Sequence, residues 1–200
     1  MEEVNLLRLH DMQILSEILA KRWMPGLRHA APGRPKREAW RHPEDLVVLI
    51  DEWPASEPVE GWGTLRGPYL VRYLKSVAWL HDLIEDGRKE DKTRVTAQDL
   101  LWAGLLPEIV IDVQHLTHGD DEDKGLALAR LKTATYTSKV AKCFDRICNL
   151  REGAVDFKEG RWGRYVVQTE TYILPLAEEL DPWFVTELRK GVALRPVVSV

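Results

Sequence analysis

The stretch "VAWLHDLIEDGR", residues 77–88, holds four ionisable side chains within six positions of an otherwise apolar run. His81 and Asp82 stand together, and Glu85 and Asp86 follow after two apolar residues. Acids and an imidazole against a core are costly unless something pairs with them. Residues four apart share one face of a helix. The stretch therefore predicts a buried helix that ends in a polar site.

Apolar residues recur at helical spacing along most of the chain, and no segment alternates as a strand would. We predict an all-α fold of six to eight helices. The chain is predicted to form one domain, residues 1–200, because this length buries one good core. Helices are expected over 4–22, 42–53, 69–85, 96–105, 107–115, parts of 125–150, and 161–180 with an interruption near Pro175. The core is expected over about 38–180, after an N-terminal helix and loop (1–37) and before a C-terminal extension (181–200).

Composition excludes several classes of protein. The net charge of −4 and the pI near 5.9 argue against a general nucleic-acid binder. No apolar run approaches the length that spans a bilayer, and the N-terminus lacks the pattern of a signal region, so a cytoplasmic protein with no membrane partner is expected. Cys143 and Cys148 are five residues apart and face different sides of a helix. They are predicted to be reduced, buried thiols.

The His-Asp pair at 81–82 can bind one cation if the end of its helix faces a cavity. Two ligands are too few, so others must come from elsewhere in the chain. His42 stands at the start of a predicted helix, and Asp145 lies in "CFDRICNL" with Asn149 one turn later. Two imidazoles and two carboxylates suit a divalent metal. Glu85 and Asp86 would then lie beside the metal, free to act on water.

Simpler readings exist for several of these residues. A second His-Asp pair at 10–11 lacks following acids and reads as an ordinary surface pair. Glu85 and Asp86 could be a solvated helix end. His115 and His118 could be ligands, or could cap a helix and line the edge of a pocket. The conjunction of HDxxED with DRxxN about sixty residues later favours the metal site.

Four segments carry a resemblance to a known family. "AWLHDLIEDG", "VTAQDLLWAGLLPEIVIDVQHLTH", "AKCFDRICNLRE" and "GRWGRYVVQTETYILPLAEEL" are similar to the HD-domain hydrolases of the RelA/SpoT family, over roughly residues 38–180. The resemblance implies an HD-domain helical bundle that removes the 3′-pyrophosphate of the alarmones ppGpp and pppGpp, usually with Mn²⁺. A chain of this length would be a stand-alone small alarmone hydrolase without a synthetase domain.

The resemblance also implies roles for residues. His29, in the loop before His42, competes with it for the place of first ligand. Glu85 and Asp86 match the pair that orients the attacking water, and Asn149 matches an asparagine that contacts the sugar or phosphates of the nucleotide. The implied metal ligands are His42, His81, Asp82 and Asp145.

The chain departs from the family pattern around the substrate. The segment before His42 lacks the usual Arg-Lys-x-Gly-x-Pro-Tyr pattern, an insertion is implied at 54–68, and Glu152 replaces a threonine. Arg34, Lys36 and Arg37 are candidate replacements for the missing cations, with Lys142 and Arg146 as further substrate-binding candidates. Other cations near these segments are Arg41, Lys139 and Arg151. Trp40, Trp62 and Trp79 could stack on a purine or pack in the core.

Two classes of function remain open. The first is a metal-dependent phosphohydrolase that acts on a small-molecule nucleotide, with ppGpp as the leading substrate. Alternatives within that class are removal of the 2′-phosphate of NADPH and hydrolysis of dNTPs or nucleoside monophosphates. The second is an inactive HD scaffold that binds a nucleotide or a protein. The presence of all four ligands and of both acids weighs against the scaffold.

Overall fold

The computed structural model describes residues 6–28, 35–54 and 67–195, and these residues form helices with no strand. The all-α prediction is confirmed for them. The described part contains eleven α-helices rather than six to eight, because several are short. They are α1 (Leu6–Trp23), α2 (Arg41–Glu52), α3 (Pro68–Leu80), α4 (Leu83–Asp86), α5 (Ala97–Trp102), α6 (Pro107–Leu116), α7 (Lys124–Arg130), α8 (Tyr136–Asp156), α9 (Glu159–Gln168), α10 (Leu174–Glu178) and α11 (Pro182–Ala193), with a 3₁₀ turn at Leu131–Thr133 and a π-helical turn at Thr169–Ile173.

Helices α3 and α8 form the centre of the molecule. Helix α3 packs against α1, α2, α6 and α8, and its Leu74, Val77 and Leu80 are fully buried. Helix α8 is the longest at 21 residues and buries Phe144 and Ile147. The HD pair directly follows the end of α3 and the DRxxN motif lies in α8, so packing of the core itself sets where the motifs meet. None of the described helices has the length and apolar character needed to cross a membrane.

The helix that carries the HD pair is interrupted, whereas the sequence predicts one helix over 69–85. Helix α3 ends at Leu80, and Asp82 adopts φ −97° and ψ 0° before α4 begins. The ring Nδ1 of His81 bonds the carbonyl oxygen of Ala78 at 2.7 Å. Gly87 then ends α4 in an extended conformation, and only glycine fits there because a Cβ would lie 2.2 Å from the carbonyl oxygen of Leu83.

The segments that flank the expected core also contribute to it. Leu9 and Leu19 of α1, and Phe184 and Leu188 of α11, are buried. Helix α11 was not predicted, although Asp181 caps it by accepting from the amide of Trp183 at 2.8 Å. Its signal was present in the sequence, because an acid at the cap position followed by proline is a common helix start.

A buried carboxylate ties three helices together next to the centre of the molecule. Asp112 of α6 accepts from the hydroxyls of Tyr73 on α3 at 2.9 Å and Ser138 on α8 at 2.8 Å. The hydroxyls of Thr135 and Thr137, at the start of α8, also donate to it. Burial and the charge of Asp112 raise the pKa of Tyr73, so this phenol keeps its proton. We call these five residues the hydroxyl cluster.

Both cysteines are buried and unpaired, which confirms the prediction of free thiols. Burial raises the pKa of Cys143 to about 12. A thiol that keeps its proton is a poor nucleophile and a poor metal ligand. Cys143 and Cys148 therefore act as small apolar side chains of α8.

Candidate metal centre

Three side chains converge where α2 begins and α3 ends. Ligand atoms of His42, His81 and Asp82 all lie within 4.8 Å of one another, the only such group among the residues that the structure describes. The two imidazole rings are 5.3 Å apart between centroids, and His81 Nε2 is 3.1 Å from Asp82 Oδ2. Residues distant in the chain thus present two imidazoles and a carboxylate to one point.

Asp145 of α8 adjoins this group. Its Oδ1 lies 3.2 Å from His42 Nε2 and 3.7 Å from His81 Nε2, and its Oδ2 lies 2.8 Å from Lys142 Nζ. The side-chain amide of Asn149, one turn further along α8, donates to Oδ1 of Asp145. The structure therefore brings all four residues of the expected ligand set together.

The chemistry of these donors fits a divalent cation. His42 and His81 are 1% and 3% exposed, and Nε2 of His81 is buried without a hydrogen-bond partner. A buried polar nitrogen without a partner is costly unless a ligand satisfies it. Sites that combine imidazole and carboxylate donors typically bind Mn²⁺, Fe²⁺ or Zn²⁺.

The charges of the group determine what a bound cation would have to displace. Burial alone would lower the pKa of His81, but the charges of Asp82 and Asp145 raise it to about 9. Burial likewise opposes ionisation of Asp82 and Asp145, yet the nearby cationic groups hold the pKa of both acids below its usual value. Both acids are thus carboxylates at neutral pH. A metal that binds His81 must displace the proton held there.

Glu85 and Asp86 lie at the end of α4, outside the convergent group. Glu85 accepts a hydrogen bond from the backbone amide of His118. Burial, together with the negative charge of Asp82, raises the pKa of both acids. Carboxylates with raised pKa beside a polar cluster have the properties of proton acceptors.

None of the other histidines in the described part of the chain belongs to the convergent group. His10, of the second His-Asp pair, is exposed and meets the guanidinium of Arg72 at 2.8 Å, which confirms a surface position. Nδ1 of His115 lies 3.1 Å from the hydroxyl of Ser138 in the hydroxyl cluster. The backbone amide of His118 donates a hydrogen bond to Glu85.

Two of the expected substrate-binding cations sit on α8 beside Asp145. The charge of Asp145 raises the pKa of Lys142 against the opposing effect of burial. Arg146 is 3% exposed and stacks on the ring of Tyr165, 3.9 Å from guanidinium carbon to ring centroid. Lys142 therefore borders the candidate centre, while Arg146 packs towards α9.

The other expected cations lie further out. Arg37 makes a bidentate pair with Asp45 at 2.8 and 3.0 Å, and Lys36 is exposed. Arg41 and Arg151 pair with other acids, at 2.6 Å from Glu44 and 3.0 Å from Glu187. Predictions that concern His29, Arg34, Trp62 and residues 55–66 of the expected insertion lie outside the described residues.

Neither described tryptophan of the expected set offers an open ring face beside the metal group. Trp79 is 3% exposed and belongs to the core. Trp40 carries the guanidinium of Arg41 at 4.2 Å and the ammonium of Lys21 at 5.0 Å from its ring centroid. Both rings are thus occupied by packing and cation–π contacts.

Sequence reasoning missed one cation at the site. Arg28 Nη2 lies 3.2 Å from Asn149 Oδ1 and 3.6 Å from Glu152 Oε2. Its backbone amide bonds the carbonyl oxygen of Arg37 at 2.8 Å, next to an antiparallel bridge between Leu27 and Glu38. This pairing folds the loop after α1 back onto α8. A single arginine in a Pro/Gly-rich loop carries no signal of such a contact.

Comparisons with known proteins show the class of fold. No family model matches the chain, and no curated protein matches it significantly. The described residues fold as an all-α helical bundle. A solved structure with this fold matches with a TM-score of 0.66 at 14% identity, over 95% of this chain and 96% of the other. That protein is described as a metazoan ortholog of SpoT that hydrolyses ppGpp and plays a role in starvation responses.

Proposed function

We propose that this chain is a metal-dependent phosphohydrolase that converts ppGpp to GDP and pyrophosphate. The observation that carries the proposal is the convergence of His42, His81 and Asp82 within 4.8 Å, with Asp145 beside them. The choice of ppGpp is supported by the neighbour of the same fold, which is described as hydrolysing it. Mn²⁺ is the proposed cofactor, on the resemblance of the HDxxED and DRxxN motifs to the RelA/SpoT hydrolases.

We assign the metal ligands to His42, His81, Asp82 and Asp145. When bound, a divalent cation would supply Lewis acidity, which polarises a phosphate and makes water easier to deprotonate. The two carboxylates balance the charge of such a cation, and the two imidazoles bind it without adding charge. Lys142, 2.8 Å from Asp145, keeps that carboxylate ionised and oriented.

Glu85 and Asp86 are assigned to the attacking water. The amide of His118 holds one oxygen of Glu85, which leaves the other oxygen of that carboxylate to accept a proton. The raised pKa of Glu85 lies closer to neutral pH than the pKa of an ordinary glutamate. A general base works best when its pKa lies near the pH at which the enzyme operates. Asp86, next in the chain, would help to align the water.

The substrate carries several phosphates and needs local cations despite the acidic total charge. Arg28 and Lys142 flank Asn149 and Asp145, so two cationic side chains border the proposed metal site. Cationic side chains at a site attract an anionic substrate. Asn149 is assigned to the ribose or its phosphates. Arg34, Lys36, Arg37 and Arg146 remain proposed substrate-binding residues.

The decisive experiment follows the oxygen of the attacking water. The purified protein is incubated with ppGpp and Mn²⁺ in H₂¹⁸O, with NADPH, a dNTP and a nucleoside monophosphate in parallel. Attack on the phosphorus that carries the 3′-oxygen should place the label in pyrophosphate and none in GDP. Release of orthophosphate from ppGpp, or faster turnover of another nucleotide, would contradict the proposed substrate. Metal binding without turnover of any nucleotide would indicate the inactive scaffold.

The variant Glu85→Gln should retain the metal and lose hydrolysis by about 10²-fold or more, the usual scale for general acid–base assistance. The amide keeps the size of the side chain but cannot take a proton. Bound metal is measured by elemental analysis and turnover by chromatography. Glu90→Gln is the control, because Glu90 pairs with Arg22 at the surface. A metal-free Glu85→Gln protein would instead place Glu85 among the ligands.

A further inference from the structure

The two ring nitrogens of His42 face different surroundings. Nε2 lies 3.2 Å from Asp145 Oδ1 and faces the proposed metal site. Nδ1 is buried on the opposite side of the ring and has no hydrogen-bond partner. The structure places Oε2 of Glu152 3.8 Å from this nitrogen. The ring thus lies between a candidate ligand cluster and a separate carboxylate.

A histidine that binds metal through one nitrogen carries its proton on the other. If Nε2 of His42 faces the metal, Nδ1 must be a donor, and a buried donor needs an acceptor. The gap of 3.8 Å to Glu152 is less than 1 Å longer than an ordinary N–H···O distance. A small rotation of either side chain closes it.

Glu152 is held in place from its other side. Arg28 Nη2 lies 3.6 Å from Oε2, and Arg37 Nη1 lies 3.7 Å from Oε1. The side chain of Glu152 is 26% exposed, so these charges are only partly screened. Arg28 is anchored on Asn149 and Arg37 on Asp45. Two anchored cations therefore keep the carboxylate beside His42.

The position of Glu152 on α8 matches this role. Asp145, Asn149 and Glu152 are spaced by four and three residues, so they lie on one face of the helix. Along that face, α8 offers a carboxylate to the Nε2 side of His42 and a second carboxylate to its Nδ1 side. One rigid element thus contacts both edges of the ring.

We propose that Glu152 is a positioning residue for the metal centre, acting through His42. Its carboxylate accepts a hydrogen bond from Nδ1–H of His42, fixes the tautomer with Nε2 free for the metal, and holds the ring in orientation. Outer carboxylates that orient a metal-binding histidine in this way typically contribute 10- to 100-fold to metal affinity. The inference rests on the proposed function, since it assumes that His42 is a ligand.

The test measures the dissociation constant for Mn²⁺ alone, from the signal of free Mn²⁺ in electron paramagnetic resonance. Glu152→Ala should weaken binding by about 10- to 100-fold. Glu152→Gln should recover much of this loss, because its amide oxygen still accepts a hydrogen bond. Glu90→Ala is the control, since Glu90 pairs with Arg22 at the surface and makes no contact with Glu152 or His42 in the proposed arrangement, and it should bind as the wild type does. Circular dichroism checks that each variant is folded.

The outcomes separate the two levels of the proposal. Loss of Mn²⁺ binding in His42→Ala, with wild-type affinity in Glu152→Ala, would overturn the role of Glu152 and leave the proposed function standing. No Mn²⁺ binding by the wild-type protein would overturn both. A second measurement needs no variant: in the Zn²⁺-loaded protein, nitrogen-15 NMR should show a slowly exchanging proton on Nδ1 of His42. A proton on Nε2 there would contradict the inference.

Discussion

Replacing Asp145 by alanine should remove the bound metal and with it all measurable hydrolysis. Asp145 lies within 3.7 Å of both buried histidines, so its loss takes away a proposed ligand and the charge that holds the group together. The effect should exceed the 10- to 100-fold typical of outer residues around a metal. Elemental analysis gives the metal content, and the ppGpp assay gives the rate.

Two further variants make this result specific. Asp145→Asn keeps the volume of the side chain and should still lose the metal, because an amide is a much weaker ligand than a carboxylate. Asp11→Ala changes the exposed second His-Asp pair and should alter neither metal content nor rate. A fully loaded and active Asp145→Ala protein would remove Asp145 from the ligand set.

The largest effect on stability is expected from Asp112→Ala, which should lower the free energy of unfolding by about 3 kcal/mol. Four hydroxyls donate to this buried carboxylate. A hydrogen bond to a charged group contributes roughly 1.5–3 kcal/mol, and donors left buried without an acceptor cost more. Urea denaturation followed by circular dichroism measures the change.

Asp112→Asn is the informative partner variant. It keeps one acceptor oxygen, and hydroxyls can turn to accept from its amide, so a smaller loss of about 1–2 kcal/mol is expected. Asp121→Ala, in the exposed acidic loop, should change stability by less than about 0.5 kcal/mol. An Asp112→Ala protein as stable as Asp121→Ala would mean that the hydroxyl cluster contributes little.

The hydroxyl cluster also bears on the candidate site. Tyr73 lies on α3, and His81 directly follows the end of that helix. Ser138 lies in the first turn of α8, the helix that carries Asp145. Fixing α3 against the start of α8 therefore fixes the two proposed ligands relative to each other. Precise placement of this kind matters, since small displacements of binding groups weaken a site.

Three of the four proposed ligands, His81, Asp82 and Asp145, stood out in the sequence because their motifs are local. HDxxED and DRxxN place chemically unusual residues in apolar helices, and burial makes such residues costly without a role. Arg28 and Glu152 were not predictable in the same way. Glu152 stood out only as a departure from a family pattern, and its contacts with His42 and two arginines depend on how a loop folds back.

The sequence by itself determined the helical character of the described residues and most helix positions, and it supplied the candidate metal ligands that remain proposed. Helical periodicity and caps act over a few residues, so they can be read from a linear string. Tertiary packing decided the break at His81–Asp82, the burial of α1 and α11, and the meeting of His42 with Asp145, 103 residues apart. These depend on contacts between distant segments, whose energies arise only when α2, α3 and α8 pack together.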